Sequence, residues 1–162
     1  MFVIVAGGGR TGSQLAQVLL TGGHQVLVIE HRPDMLTRLH KELPTEAIYE
    51  GNTTDPAVLE QAGIRKAKVI AACMSEDPNN LSLCFLARKM FNVPRTIARV
   101  NNPRNAWLFN GKFCVDVALN QANVFASLIQ EELRCHSTLS CRSIPTVAYW
   151  SIVFGRQPQD RK

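Results

Sequence analysis

Short apolar runs alternate along most of the chain with stretches of helical periodicity. Runs of four or five residues suit buried strands, and the stretches between them place apolar residues on one helix face. The predicted strands are Phe2–Ala6, Gln25–Ile29, Ala47–Glu50, Val69–Cys73, Thr96–Val100 and Cys114–Val117. Helices are predicted after the loop Gly7–Gly12, near Pro33, and over Asp55–Ala62, Asp77–Phe91, Asn105–Phe109 and Asn120–Leu133. The alternation predicts an α/β fold, a Rossmann-like doubly wound parallel sheet of about six strands.

The alternation stops near Cys135, which divides the chain into two parts. At 162 residues the length fits a single domain, and we expect residues 1–133 to form the Rossmann nucleotide-binding domain. Residues 134–162 are expected to be an irregular basic tail, in which the apolar run Val147–Phe154 is either a strand or a docked helix. No apolar run approaches the roughly 20 residues of a membrane-spanning helix, and the N-terminus begins with a core strand instead of a signal peptide.

The positive charge is concentrated in the tail. The net charge is +5, yet residues 1–132 hold 13 Lys and Arg against 12 Asp and Glu, whereas residues 133–162 hold 5 against 1. We expect this end to be solvated and predict no nucleic-acid partner, the alternative being a tail that touches phosphate backbones or anionic lipid.

The five cysteines show no disulfide framework. Cys73, Cys84 and Cys114 lie in apolar stretches, where a small buried thiol is the usual interpretation and suits a reducing cytosol. Cys135 and Cys141, with His136, are the alternative metal site, but their spacing matches no zinc motif. We therefore predict no metal site.

The loop Gly7–Gly12 reads G-G-G-R-T-G and follows the first strand directly. In a G-x-G-x-x-G loop, Gly7 allows the tight turn, Gly9 lets backbone N–H groups approach a pyrophosphate, and Gly12 lets the helix pack on the strand. Phosphates then lie at the helix N-terminus, which favours negative charge. The alternative is a glycine-rich turn without a ligand.

Glu30, at the end of the second strand, is the predicted ribose ligand. Its carboxylate can accept hydrogen bonds from both ribose hydroxyls and would repel a 2′-phosphate, which favours NAD or an adenine nucleotide over NADP. The alternative is that Glu30 caps the helix near Pro33, and the adjacent His31 and Arg32 leave some room for a phosphate.

Several motifs in the same order resemble the N-terminal domain of TrkA-type regulators of potassium conductance, the RCK or KTN family. They are Gly7–Gly12, Gly51–Asp55 with Leu59 and Ala62–Ile64, Asp77 with Asn80–Leu81, Ile97–Pro103, and Val115–Val117 with Asn120–Ala122. The resemblance covers roughly residues 1–133. It implies a Rossmann-type sensor domain that binds NAD(H) or an adenine nucleotide such as ATP, ADP or AMP.

The resemblance also implies which residues bind the nucleotide. Arg10 would reach a phosphate, and the segment from Gly51 would contact adenine, with Asn52 replacing the usual acid and its amide oxygen accepting from the adenine amino group. Ser75 and Arg99 would form cleft walls. The candidate binding residues are Gly7, Gly8, Gly9, Arg10, Thr11, Gly12, Glu30, His31, Asn52, Thr53, Ser75, Asp77 and Arg99.

Two of these residues have structural alternatives. Arg99 could instead form a surface ion pair with Glu76 or Asp77, and Asp77 could be a helix N-cap.

The function implied by the resemblance is that of a cytosolic regulatory subunit. It would gate a membrane potassium channel or transporter by conformational change, as a homodimer or larger ring at the inner face of the plasma membrane. Relatives usually continue into a second, ligand-sensing domain, which the pattern after Leu133 does not show. The chain is thus either a stand-alone sensor or a shortened one.

The main alternative function is an NAD-dependent oxidoreductase. Such an enzyme needs a proton donor or acceptor at the hydride site and a substrate domain. The chain has no Tyr-x-x-x-Lys pair, its four histidines do not follow the strands that would face a nicotinamide, and no second domain is evident. We therefore expect no catalytic activity, and a third alternative is an assembly module with a vestigial cleft.

Overall fold

The computed structural model describes residues 1–136, in which six strands alternate with helices. The strands are β1 Phe2–Ala6, β2 Gln25–Glu30, β3 Ile48–Glu50, β4 Val69–Ala72, β5 Arg95–Arg99 and β6 Val117–Leu119. The α-helices are α1 Arg10–Thr21, α2 Pro33–Glu42, α3 Pro56–Gln61, α4 Asp77–Lys89 and α5 Gln121–His136. Short 3-10 helices cover Thr45–Ala47, Ile64–Lys66, Pro103–Leu108 and Gly111–Phe113.

The strands form one sheet in the order β3-β2-β1-β4-β5-β6. β1 pairs in parallel with both β2 and β4, and the pairs β2–β3 and β4–β5 are parallel as well. The strand order reverses at β1 and β4, where the carboxyl ends of a doubly wound sheet open a crevice. The predicted Rossmann-like fold is confirmed.

The central strand β1 is apolar on both sides because helices cover both faces of the sheet. Val3 and Val5 pack into one core cluster with Ala16 of α1 and Leu39 of α2. The alternate residues of β1 join Leu59, Ile70, Leu83 and Cys84 in the cluster on the other face. A parallel strand buried on both faces reads as a continuous apolar run, which is why this strand could be recognised from sequence.

The element bounds predicted from sequence differ most from the structure in the region before β6. The expected strand Cys114–Val117 is wrong, because Cys114 follows a 3-10 helix with φ +61°, in the left-handed region, and β6 begins only at Val117. The brief helix expected over Asn105–Phe109 is the 3-10 helix Pro103–Leu108, which begins two residues earlier. The Asn102 side chain accepts a hydrogen bond from the Arg104 N–H at its start.

The chain divides into two units, the first spanning Met1–Ala118 and the second beginning at Leu119. In the second unit, α5 starts after Asn120, whose side-chain oxygen accepts a hydrogen bond from the Asn123 N–H at 3.1 Å. None of the helices in residues 1–136 combines the length and the apolar character that crossing a membrane needs. Residues 137–162, with Cys141 and the run Val147–Phe154, lie outside the described residues.

Candidate functional site

The glycine loop joins β1 to α1 through two tight contacts. Gly7 has φ +98°, which favours glycine, and its N–H donates to the Ile29 carbonyl at 2.9 Å. A Cβ on Gly12 would lie 1.9 Å from the Gly7 carbonyl oxygen, so only glycine fits there. Gly7 thus lies in the tight turn, and Gly12 lies where α1 packs closely against the end of β1, as the sequence predicts.

Gly9 is different, because a Cβ built on it would meet nothing within 4 Å. It occupies the N-cap position of α1 with extended backbone, at φ −66° and ψ −177°. No side chain caps this helix, and its first turn contains no acidic residue. The N-terminus of α1 therefore retains its electropositive field toward an open space, which is the arrangement that receives a phosphate.

Glu30 is buried beneath this loop, with its side chain 2% exposed. Its carboxylate accepts hydrogen bonds from the main-chain N–H groups of Gly8 (2.8 Å), His31 (2.8 Å) and Arg32 (3.0 Å). It also accepts from Nε and Nη2 of Arg32, at 3.1 and 2.8 Å. Burial raises the pKa of Glu30, but the hydrogen bonds from Arg32, Gly8 and His31 outweigh burial and lower the pKa to about 2.

A cleft of about 250 Å³ opens where the carboxyl ends of β1, β2 and β4 meet. This volume lies below the roughly 300–1,000 Å³ of typical small-molecule sites. Its lining residues are Gly7, Ile29, Glu30, His31, Arg32, Thr53, Met74, Ser75 and Asn79. Five of these, Gly7, Glu30, His31, Thr53 and Ser75, were candidates from sequence.

The remaining lining residues were not among the sequence candidates. Ile29 and Met74 flank the ends of β2 and β4, so strand position was the available signal. Arg32 follows Glu30 by two residues, within side-chain reach of it. Asn79 lies in the first turn of α4, and no sequence signal pointed to it.

The segment after β3 contacts the cleft through Thr53. Its hydroxyl lies 2.8 Å from the Met74 sulfur and its side chain is buried. Asn52 is exposed beside it, and its amide oxygen already accepts from the Thr54 N–H at 3.0 Å and the Thr54 hydroxyl at 2.8 Å. The amide oxygen expected to accept from adenine is therefore engaged locally, which leaves the NH₂ group of Asn52 to contact a base.

Asp77 faces the loop after β5. Its two carboxylate oxygens accept from the N–H groups of Asn101 (2.7 Å) and Asn102 (3.0 Å) and from the side-chain amides of Asn101 (3.1 Å) and Asn105 (2.8 Å). Burial raises its pKa, and these hydrogen bonds bring it below the ordinary value. Asp77 is the first residue of α4 and Glu76 occupies the N-cap position, so the N-cap alternative for Asp77 is wrong.

Arg99, at the end of β5, reaches toward the glycine loop. Its Nη1 lies 3.4 Å from the Thr11 hydroxyl, and the ion pairs of the described residues do not include one from Arg99 to Glu76 or Asp77. Asn80, fully buried in α4, donates to the carbonyls of Met74 and Arg99 and so ties the ends of β4 and β5 together. Arg10 is exposed at the start of α1.

A doubly wound sheet with a glycine turn after β1 and a buried acid ending β2 defines a Rossmann-type nucleotide-binding domain. Among the side chains that the structure describes, which do not include those of Cys135 and His136, no cluster of three or more His, Cys, Asp or Glu could hold a metal ion. The sequence model of the TrkA-N domain matches residues 3–121, and the chain belongs to this family.

Relatives of known name agree with this assignment. The Trk system potassium uptake protein TrkA of Mycobacterium tuberculosis is 38% identical over 131 residues, which cover 81% of this chain and 59% of that protein. A TrkA homolog of Methanothermobacter thermautotrophicus is 35% identical, with the same coverage of both chains. The chain thus spans about three-fifths of the length of these relatives.

Solved structures share the fold at low identity. The TrkA-N domain of the inner membrane protein YbaL from Escherichia coli superposes with a TM-score of 0.72 at 19% identity, over 82% of this chain and 96% of that one. The GsuK channel bound to NAD gives 0.63 at 23% identity, over 73% and 21%. The Shewanella denitrificans Kef C-terminal domain in its AMP-bound form gives 0.67 at 22% identity, over 94% and 89%.

Proposed function

We propose that this chain binds NAD(H) or an adenine nucleotide and acts as a regulatory subunit of a potassium uptake system or channel. The observation that carries the proposal is the hydrogen bond from Gly8 to Glu30, which sets a buried carboxylate beside the open N-terminus of α1. Phosphate at the helix end and ribose at the carboxylate are the two parts of a nucleotide that this spacing serves.

Similarity supports the same ligand and partner classes. The related TrkA protein is a component of potassium uptake, and chains of the same fold are bound to NAD and to AMP. On this basis the partner is a membrane potassium transporter or channel, the chain works at the cytoplasmic face of the membrane, and it assembles as a homodimer or ring.

The chemistry of the cleft favours a sensor over an oxidoreductase. Among the residues that line the described cleft, Glu30 is the only carboxylate, and with a pKa of about 2 it carries no proton to donate near neutral pH. His31, the only imidazole in that lining, follows β2, on the side of the cleft expected to hold the ribose instead of a nicotinamide. Nucleotide binding would instead favour one of two arrangements of the assembled domains. The nucleotide can change transport only as far as its affinities for the two arrangements differ.

Rubidium uptake in the source organism tests this function. Deleting the gene should lower or deregulate uptake, and the wild-type chain should restore it. The Gly9→Leu variant, which fills the phosphate space, should not restore uptake, whereas Gly111→Leu, at another glycine with open surroundings, should. Full restoration by Gly9→Leu would contradict nucleotide-dependent regulation, and unchanged uptake after deletion would contradict the transport role.

A further inference from the structure

Arg32 occupies the hydrogen-bonding positions of Glu30 that a ribose would use. Its Nε and Nη2 donate to different oxygens of the carboxylate, at 3.1 and 2.8 Å, in a forked pair. Three main-chain N–H groups also donate to this carboxylate, so Glu30 accepts five hydrogen bonds in all. A carboxylate offers only about four lone-pair sites. The carboxylate therefore has no acceptor capacity left for two ribose hydroxyls.

The five donors differ in how readily they can leave. The N–H groups of Gly8, His31 and Arg32 are main-chain groups held by the glycine loop and the end of β2. The Arg32 side chain is 42% exposed and lines the cleft, so it can rotate away without moving the main chain, at the cost of its two charge-assisted hydrogen bonds to Glu30. An adenosine with free ribose hydroxyls must consequently displace the guanidinium of Arg32 from Glu30. The three main-chain donors still leave about one acceptor site, so Glu30 can accept from one ribose hydroxyl and not from both as expected from the sequence.

The same guanidinium changes how the site treats a 2′-phosphate. An unpaired Glu30 would repel a dianion placed at the ribose, but paired Arg32 compensates that charge and has further N–H donors for phosphate oxygens. An arginine near the ribose is the usual device by which Rossmann domains accept the 2′-phosphate of NADP. An unpaired Glu30 would favour an unmodified ribose over a 2′-phosphorylated one, and Arg32 opposes this preference.

We propose that Arg32 determines ligand specificity in this cleft: it competes with an unmodified ribose for Glu30 and favours adenine nucleotides that carry a 2′-phosphate. The proposal rests on the nucleotide-binding function given above. Removing Arg32 should strengthen binding of AMP and NADH and weaken binding of their 2′-phosphorylated counterparts.

Calorimetry with AMP and adenosine 2′,5′-bisphosphate isolates this effect, because the two ligands differ only in the 2′-phosphate. In Arg32→Ala the ratio of the two dissociation constants should move toward AMP by at least about tenfold, as expected for loss of one charge-assisted contact. Arg32→Gln should shift the ratio in the same direction, which gives an independent result if the alanine variant folds poorly. NADH and NADPH should show the same trend.

The matched control is Arg38→Ala. Arg38 lies in α2, the helix that begins directly after Arg32; it is 40% exposed and pairs with Glu42, away from the cleft lining. Its removal should leave the ratio unchanged. A ratio that stays within threefold in both Arg32 variants, or that shifts equally in Arg38→Ala, would overturn the role of Arg32 while leaving nucleotide binding intact. A wild-type chain that binds none of the four ligands would overturn the proposed function as well.

Discussion

The main-chain N–H of Gly8 donates to the carboxylate of Glu30, with 2.8 Å between nitrogen and Oε2. The contact joins the loop after β1 to the end of β2, 22 residues further along the chain. It places the expected phosphate and ribose sites in one rigid unit, because both partners are buried. A substitution that removes the Glu30 carboxylate therefore also removes the contact that holds the loop at Gly8.

Glu30→Gln should destabilise the protein in a pH-dependent way. The folded pKa of about 2 lies below the ordinary 4.5, so ionised Glu30 stabilises the fold above pH 4.5 by roughly 3 kcal/mol and loses this effect as pH falls toward 2. Denaturant unfolding of both proteins should show a stability difference that narrows by about 2 kcal/mol between pH 5 and pH 3. Asp77 titrates in both proteins, so its contribution cancels. A constant difference across this range would contradict the assignment.

Gly12→Ala should disturb the junction of β1 and α1. The new Cβ would lie 1.9 Å from the Gly7 carbonyl oxygen, a backbone atom that cannot rotate aside. We expect a loss of about 3 kcal/mol or more in the free energy of unfolding, measured by urea denaturation. Gly9→Ala is the control, because its Cβ meets nothing and its cost should stay within about 1 kcal/mol. Equal costs for the two variants would show that the loop is not packed in this way.

Asp77→Asn should loosen the loop after β5. The substitution replaces one acceptor oxygen with an NH₂ group that faces other N–H donors, so at least two hydrogen bonds are lost. We expect a cost of about 2–3 kcal/mol and faster amide exchange at Asn101 and Asn102. Asp34→Asn, an exposed aspartate in the first turn of α2, should cost less than about 0.5 kcal/mol. Unchanged exchange in the Asp77 variant would exclude this role.

The sequence was sufficient for the parts of the site that depend on backbone geometry. Gly7, with its positive φ, and Gly12, with no room for a Cβ, leave a composition signature because no other residue fits. Glu30 was equally recognisable, since it ends an apolar strand at the spacing a βαβ unit requires.

The contacts that depend on side-chain pairing could not be predicted. Whether Arg32 covers Glu30, or whether Asn52 uses its oxygen for Thr54, depends on rotamers that no periodicity encodes. The start of β6 was missed for a related reason. Thr96 binds Asp116 and the Cys114 carbonyl, and these long-range contacts place the turn where apolar content alone suggested a strand.

Amide chemical shifts of the full chain, titrated with NADH and separately with ADP, test most directly whether a nucleotide binds at the glycine loop. Binding there predicts that the largest shifts fall on Gly8, His31 and residues 10–12. Gly9→Leu should weaken binding at least about 100-fold with little change in melting temperature, and Gly111→Leu should bind as the wild type does. Largest shifts at another surface, or equal affinity of the two leucine variants, would contradict the site.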